Sequence, residues 1–548
     1  MPLGVPQTLV PNAANGFGGF GMTRALSVAA LLAALAAASP ALAETPKDTV
    51  VMAKNIDDLI SLDPAEAYEF SGIEVDTNVY DRLIRYEAED LTKMVGGVAE
   101  SWIVSADGHT ITLKLRPGQS FQSGAPVTAA DAAFSLQRVV ILDKSPGFLL
   151  SQLGWTKDNV AGMVRALDAS TLQLTVPEKF APSLVLSLLS SIVGSVIEQK
   201  VAMAHEAAGD MGNGWLKAHS AGSGAFRLLS WKPNESVTME ANPNYRLGAP
   251  GIHRVVIRHV PEPSSQRLLL EKGDVDIARD LTPDQITALA GDPAITTQAL
   301  PSTDIWYLAM NQSEEHLKNP KVREALKYLI DYKGMADSFL KGRMSPHETF
   351  LPNGFFGALD YQPFKLDVAK AKSLLAEAGY PNGFDITLTS FSSSPGQDIA
   401  QSLQQTLGQA GIKVSLAPVE QKQLYTIYRG RKHQLALLYW GPDYLDPHTN
   451  ADGFAYNPDN SDTATHRVLA WRNNWFIPEI SKQVMAAAQE LDTAKREAEY
   501  HDLQKLVTDT GPYAFMFQTL SPVGTRKGVN GFVVGISSDL VYYRKITK

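Results

Sequence analysis

The run Tyr439-Trp440-Gly441-Pro442-Asp443-Tyr444 sets a single carboxylate among aromatic side chains, directly after the apolar stretch from Leu435 to Trp440. The chemistry open to such a group is charge-assisted binding of a ligand; the alternative is that Asp443 caps a turn before Asp446-Pro447. Motifs for bond-breaking chemistry are missing. Gly16-Phe17-Gly18-Gly19-Phe20-Gly21 has the spacing of a dinucleotide fingerprint but follows no strand, so it reads as chance. His205-Glu206 lacks a second histidine at helical spacing, which argues against a zinc site. No G-x-S-x-G elbow and no phosphate-binding loop occurs. The acids of Asp57-Asp58 and Glu314-Glu315 read as solvated pairs. Catalysis therefore has no positive support in the sequence, and no cofactor or metal is expected.

The elements around Asp443 explain why it stands out. Residues 385–391 alternate as a strand, and a helix follows over about 397–409. Gly411 ends that helix, and 412–416 form a second strand. A helix over 421–429 leads to the apolar strand 435–440. This β-α-β-α-β order predicts parallel strands with right-handed crossovers. In open sheets of this kind, ligands bind beyond the carboxyl ends of the strands, which is where Asp443 falls. The rest of the chain mixes both element types. Residues 110–115 alternate as a strand before Arg116-Pro117-Gly118, and Thr128 with Asp131 form a capping-box pair. Asn319-Pro320 opens a helix whose buried face is Val322, Ala325, Leu326, Leu329 and Ile330. Asp367 caps another, which Gly379 and Pro381 stop.

Composition bounds the remaining possibilities. With 548 residues the chain can bury a large core and form two or three lobes. It contains no cysteine, which excludes disulfides, thiol nucleophiles and lipid attachment through a cysteine. A net charge of −9 argues against nucleic acid as a partner. Met22-Thr23-Arg24, the apolar stretch 25–38 and Ala41-Leu42-Ala43 are the three parts of a cleavable secretion signal, so residues 1–43 are expected to be an N-terminal extension plus signal. The apolar stretch falls short of the about 20 residues that a membrane span needs. The mature protein is therefore expected free in the periplasm, as a monomer.

Longer motifs carry a resemblance. Val98-Ala99-Glu100-Ser101-Trp102 continues through Ser105-Ala106-Asp107-Gly108 and Leu115-Arg116-Pro117-Gly118 to Phe121. It closes with Gly124-Ala125-Pro126-Val127-Thr128-Ala129-Ala130-Asp131 and Phe134-Ser135-Leu136. Asp63-Pro64-Ala65, Asn78-Val79-Tyr80-Asp81, Gly222-Ser223-Gly224-Ala225-Phe226, Asn242-Pro243-Asn244-Tyr245, Gly273-Asp274-Val275-Asp276-Ile277 and Tyr307-Leu308-Ala309-Met310-Asn311 follow in order. Together they resemble the extracellular solute-binding proteins of family 5, the peptide- and nickel-binding receptors of ABC importers.

The resemblance implies an α/β, two-lobed periplasmic-binding-protein fold (type II) with an extra inserted α/β domain. By analogy, lobe I takes 44–76, 220–308 and 512–548, the inserted domain 77–219, and lobe II 309–511, with hinge strands at 306–311 and 513–518. It also implies capture of a small molecule or peptide between the lobes and delivery to the permease subunits in the inner membrane. In the peptide-binding branch, an Asp at the position of Asp443 holds the ligand's α-ammonium. Enclosure by Trp440 and Tyr444 strengthens such a bond, and the backbone of Tyr439 and Gly441 can pair with an extended peptide. The dipeptide branch grips the ligand carboxylate with an Arg after the strand matching 385–391, but here Phe391-Ser392-Ser393-Ser394-Pro395-Gly396 holds none. Arg429 or Arg431 could substitute, as could bridging water in a roomier site, which keeps longer peptides or another amine-bearing solute open; Trp306 and Tyr68 are the expected aromatic walls. A metal chelate, an opine or a sugar remains open as the solute, and a secreted hydrolase as the contrasting class.

Overall fold

The computed structural model describes residues 45–87, 90–464 and 466–548. The secretion signal and the glycine-rich motif at 16–21 lie outside them. The organising feature is one mixed sheet, eleven-stranded among the described residues. Its order runs Lys413–Val419, Asp385–Phe391, Leu435–Trp440, Ile295–Met310, Tyr513–Arg526, Ile277–Ala278, Thr49–Lys54, Arg254–His259, Ser236–Ala241 and Phe226–Lys232. A short strand, Met344–Pro346, pairs off that path with Tyr513–Arg526.

The two long strands, Ile295–Met310 and Tyr513–Arg526, join the two halves of this sheet. They pair antiparallel from Ile295↔Arg526 to Ala309↔Tyr513, with register shifts at Pro301/Ile305 and Trp306/Tyr307. Their burial follows from composition. Ile305 to Met310 is a continuous apolar run and is buried on both faces, whereas residues 296–302, which include Thr296, Thr297, Gln298 and Ser302, are half-buried or exposed. The strand Leu435–Trp440 is likewise apolar and buried through Leu438.

The β-α-β-α-β stretch forms as its periodicity predicts. Asp385–Phe391 pairs parallel with Lys413–Val419 and with Leu435–Trp440, and helices Gly396–Gly408 and Gln421–Arg429 make the crossovers. Thr128 and Asp131 cap helix Ala129–Leu142 reciprocally, and Asp367 accepts from Lys370 N–H at the start of Val368–Glu377. The helix opened by Asn319 ends at Lys327, earlier than its apolar face suggests, so Leu329 and Ile330 are buried from the turn that follows.

A separate four-stranded antiparallel sheet, ordered Ala99–Val104, Thr110–Leu115, Thr171–Thr175 and Val164–Asp168, has its own core beneath helices Ala129–Leu142 and Pro182–Ser190. It falls within the stretch expected to be inserted. Among the described residues, no helix is long and apolar enough to cross a membrane.

Candidate functional site

Where Leu435–Trp440 leaves the sheet, the chain lines a cavity of about 280 Å3. Its wall is aromatic, from Tyr68, Phe70, Tyr307, Tyr425, Tyr428, Tyr439 and Trp440, and its charged groups are Asp443, Arg429 and Arg472. Six of the eight residues singled out from sequence meet here: Tyr68, Arg429, Tyr439, Trp440, Gly441 and Asp443.

Asp443 is positioned through its own backbone, whose N–H donates to Thr449 Oγ1 at 3.1 Å. The Tyr68 hydroxyl donates to Asp443 Oδ1, tying the segment 63–69 to the end of the strand. Among the described residues, no cation forms an ion pair with Asp443. Burial pushes its carboxyl up to about 6; the Tyr68 hydrogen bond opposes the rise and the nearby Asp452 charge adds to it. The same burial, together with the Asp443 charge, drives the Tyr68 phenol far above its ordinary value, so it stays a donor.

Trp440 is held by its Nε1, which donates to Asn450 Oδ1 at 3.0 Å. The Tyr439 hydroxyl accepts from Gln421 Nε2 at 3.1 Å. On one flank the strand is paired through to its end, at Ile305↔Trp440. On the other flank its pairing with Asp385–Phe391 stops at Thr389↔Ala436. Residues 437–440 therefore have a strand partner on one side only among the described residues. A Cβ at Gly441 would lie 2.8 Å from Asp304 Oδ1, so a larger residue there would displace that carboxylate. Asp304 is a second acid at this point, raised by burial to about 6 against the opposing Ser302 hydrogen bond.

The other expected residues lie elsewhere. Tyr444 does not enclose Asp443: consecutive side chains diverge, and its ring enters the core of the four-stranded domain, where its hydroxyl donates to Gln152 Oε1 at 3.2 Å. Trp306 forms a layer behind the wall. It is paired across the ladder with Tyr439, its ring packs on Tyr439 and Phe391 at 5.2 and 5.6 Å, and Nε1 donates to Thr519 Oγ1. Arg431 is used structurally, stacked 4.1 Å over Trp471 and bonded to Asn460. Arg429 stands 5.5 Å over the Tyr425 ring at the cavity wall.

Sequence reasoning missed Asp304, Arg472, Tyr307, Tyr425 and Tyr428. Tyr425, Tyr428 and Arg429 share one face of helix Gln421–Arg429, a periodicity that was readable. Asp304 is an acid interrupting a strand that is otherwise buried beyond it, also a readable signal. Arg472 arrives from helix Leu469–Arg472, and nothing in its local sequence marks it. Among the described residues, no group of three or more His, Asp or Glu side chains is placed to hold a metal ion.

The sequence model of the bacterial extracellular solute-binding proteins, family 5, matches residues 93–462. The chain belongs to this family. Over 531 residues it is 29% identical to the probable D,D-dipeptide-binding periplasmic protein DdpA of Escherichia coli K12, covering 95% of this chain and 99% of that one. It is 31% identical over 394 residues to the glutathione-binding protein GsiB of Salmonella typhi, covering 72% and 73% of the two chains. The solved periplasmic binding protein DppA of Helicobacter pylori, in complex with the peptide STSA, superposes with a TM-score of 0.74 at 23% identity, covering 91% of this chain and 98% of that one. This solute-binding protein therefore has the two-lobed fold, with its cavity beside the strands that join the two halves of the sheet.

Proposed function

We propose that this protein is the periplasmic receptor of an ABC importer, capturing short peptides or peptide-like solutes in the cavity at Asp443 and passing them to the membrane permease without transforming them. The observation that carries this reading is a carboxylate buried among aromatic rings with no cation of its own. An ammonium entering the cavity supplies the missing charge, in surroundings that strengthen the bond. The unpaired flank of residues 437–440 suits an extended peptide backbone laid alongside it, which would fix the ligand's ends while tolerating any side chain. Relatives named for dipeptide and glutathione binding support the same solute class.

The reading extends to a monomer exported by cleavage of residues 1–43, with no nucleic-acid partner. The lobes would be divided as the resemblance implies, and closure would be stabilised by contacts that one ligand makes to both. Native mass spectrometry of protein purified from its host tests the solute class. A co-purified peptide of a few residues is the expected result; a co-purified sugar, opine or metal chelate overturns it. Incubation with peptides should return them intact, and cleavage products would replace the receptor with a hydrolase.

A further inference from the structure

The four-stranded domain touches both halves of the large sheet, and the two contacts differ in kind. It is fixed to the half that carries Thr49–Lys54 and Phe226–Lys232. Arg138, from its helix Ala129–Leu142, binds Asp63 through both terminal nitrogens at 2.7 and 2.6 Å. Gln122 donates from Nε2 to Phe226 O at 2.7 Å and from its backbone to Gly222 O at 3.0 Å. The second contact is a seam with the half that carries Leu435–Trp440. Tyr444, one residue beyond Asp443, and Ala488, from helix Pro478–Gln489, are buried in the core of the four-stranded domain. Hydrogen bonds rim them. The Tyr444 hydroxyl donates to Gln152 Oε1 at 3.2 Å, the Tyr86 hydroxyl to Leu445 O at 3.2 Å, Arg496 Nη1 to Ser183 Oγ at 3.0 Å and Ala181 N–H to Ala488 O at 2.7 Å. A cavity of about 310 Å3 runs along the seam, lined from both sides by Tyr86, Ser183, Leu445 and Arg496. The seam is thus less completely filled than a domain core.

We infer that Tyr444 is a positioning residue that ties capture of a solute at Asp443 to closure of this seam, so that part of the closed state's stability comes from contacts no solute makes. This rests on capture at Asp443 and adds what holds the cleft shut behind the solute. Asp443 and Tyr444 share a rigid peptide unit, one side chain turned to the cavity and the other to the four-stranded domain, so docking the ring fixes the carboxylate. Tyr444, Gln152, Ser183 and Ala488 lie outside the cavity lining. The two halves of the sheet are continuous through Ile295–Met310 and Tyr513–Arg526, whose register shifts at Pro301/Ile305 and Trp306/Tyr307 are places where a strand bends. A rotation there parts the seam at low electrostatic cost. Arg496 keeps Asp446, its partner through both terminal nitrogens at 2.9 and 2.7 Å, because both belong to the same half. The other bonds across the seam join neutral groups that water can satisfy. A cleft that must close to bind has an apparent affinity scaled by its closed fraction, so Tyr444 acts on every solute by one factor.

The test uses the full mature protein, stripped of ligand, and equimolar pools of dipeptides to tetrapeptides, free and N-acetylated. In hydrogen–deuterium exchange, the segment carrying the Ala181 amide should gain at least about tenfold protection when the free pool is added, although it touches no cavity wall. Equal protection with and without bound peptide overturns the coupling, and that comparison needs no variant. Tyr444→Ala should enlarge the unliganded protein in small-angle scattering and weaken binding of each free peptide by one common factor of about tenfold or more. Tyr444→Phe, which keeps the ring, should restore most of both. A folded Tyr444→Ala with unchanged dimensions and affinity overturns the assignment. So does a Tyr444→Ala that no longer prefers free over N-acetylated peptides, because the substitution has then displaced Asp443 itself. Failure of the free pool to bind the unaltered protein overturns the peptide reading instead. Scattering of unliganded Tyr444→Ala needs no solute and still decides the seam, with enlargement supporting it and unchanged dimensions overturning it.

Discussion

Glu74 and Asp443 are both carboxylates withdrawn from water, and the chain treats them in opposite ways. Burial alone would raise Glu74, but Arg279, Lys54 and the Tyr543 hydroxyl surround it and hold its carboxyl down at about 2. Asp443 receives one neutral hydroxyl from Tyr68, and burial carries it up to about 6. Glu74 is neutralised within the chain, so its charge serves packing between helix Phe70–Val79, strand Thr49–Lys54 and the C-terminal segment. Asp443 is left without a counter-charge among the described residues. A folded protein tolerates such a group where an incoming partner completes it, which is why a buried, underpaired carboxylate marks a binding site and a buried, fully paired one does not.

The contrast can be broken from either side, and the largest effect should come from Glu74. Glu74→Gln leaves Lys54 and Arg279 without their counter-charge, and chemical denaturation should report a loss of about 3–5 kcal/mol. Its carboxyl is held below the ordinary value, so its contribution is fully present above about pH 4.5 and is lost as pH falls toward 2. Asp443→Asn should do the reverse. Peptide binding weakens by about 1.5–3 kcal/mol in calorimetry, while the unliganded protein gains thermal stability at pH 7.5 because an ionised, underpaired group has been removed. Unchanged affinity in that variant would end the ammonium role.

The pH profile sharpens the comparison next. Asp443 is raised, so the unliganded carboxyl takes up a proton as pH falls through about 6, and affinity should drop toward tenfold per unit below that point. A peptide α-amine loses its proton near about pH 8, so binding should be strongest between the two values. Titrating affinity from pH 4.5 to 9 measures both limbs, and Asp443→Asn should flatten the acid one. The smallest effect belongs to Tyr68→Phe. Losing the hydroxyl that stabilises the ionised carboxylate should move the acid limb upward by about half to one unit, with little change in affinity at pH 7.5.

Much of the fold was legible because it is local. The alternation of 385–391, the apolar run 435–440, the Thr128 capping box and the Asp367 cap all rest on contacts within a few residues, and each formed where its pattern lay. Asp443 was legible for a topological reason, its place just past the third strand of a parallel unit. Tyr444 and Trp306 were not. Whether an aromatic ring faces a cavity or a core depends on what packs beyond it, and here Gln152 and the rings of Tyr439 and Phe391 decided.

The sequence by itself determined the element types, the parallel unit and a carboxylate standing at its open end, since backbone periodicity and chain order are properties of neighbours. Only the tertiary structure decided which charges would find partners. Asp443 and Arg472 come from separate elements that line one cavity, while Arg431, two residues from Arg429, is spent on Trp471 and Asn460. Charge pairing depends on distance through space and on shielding from water, and neither can be read along a chain.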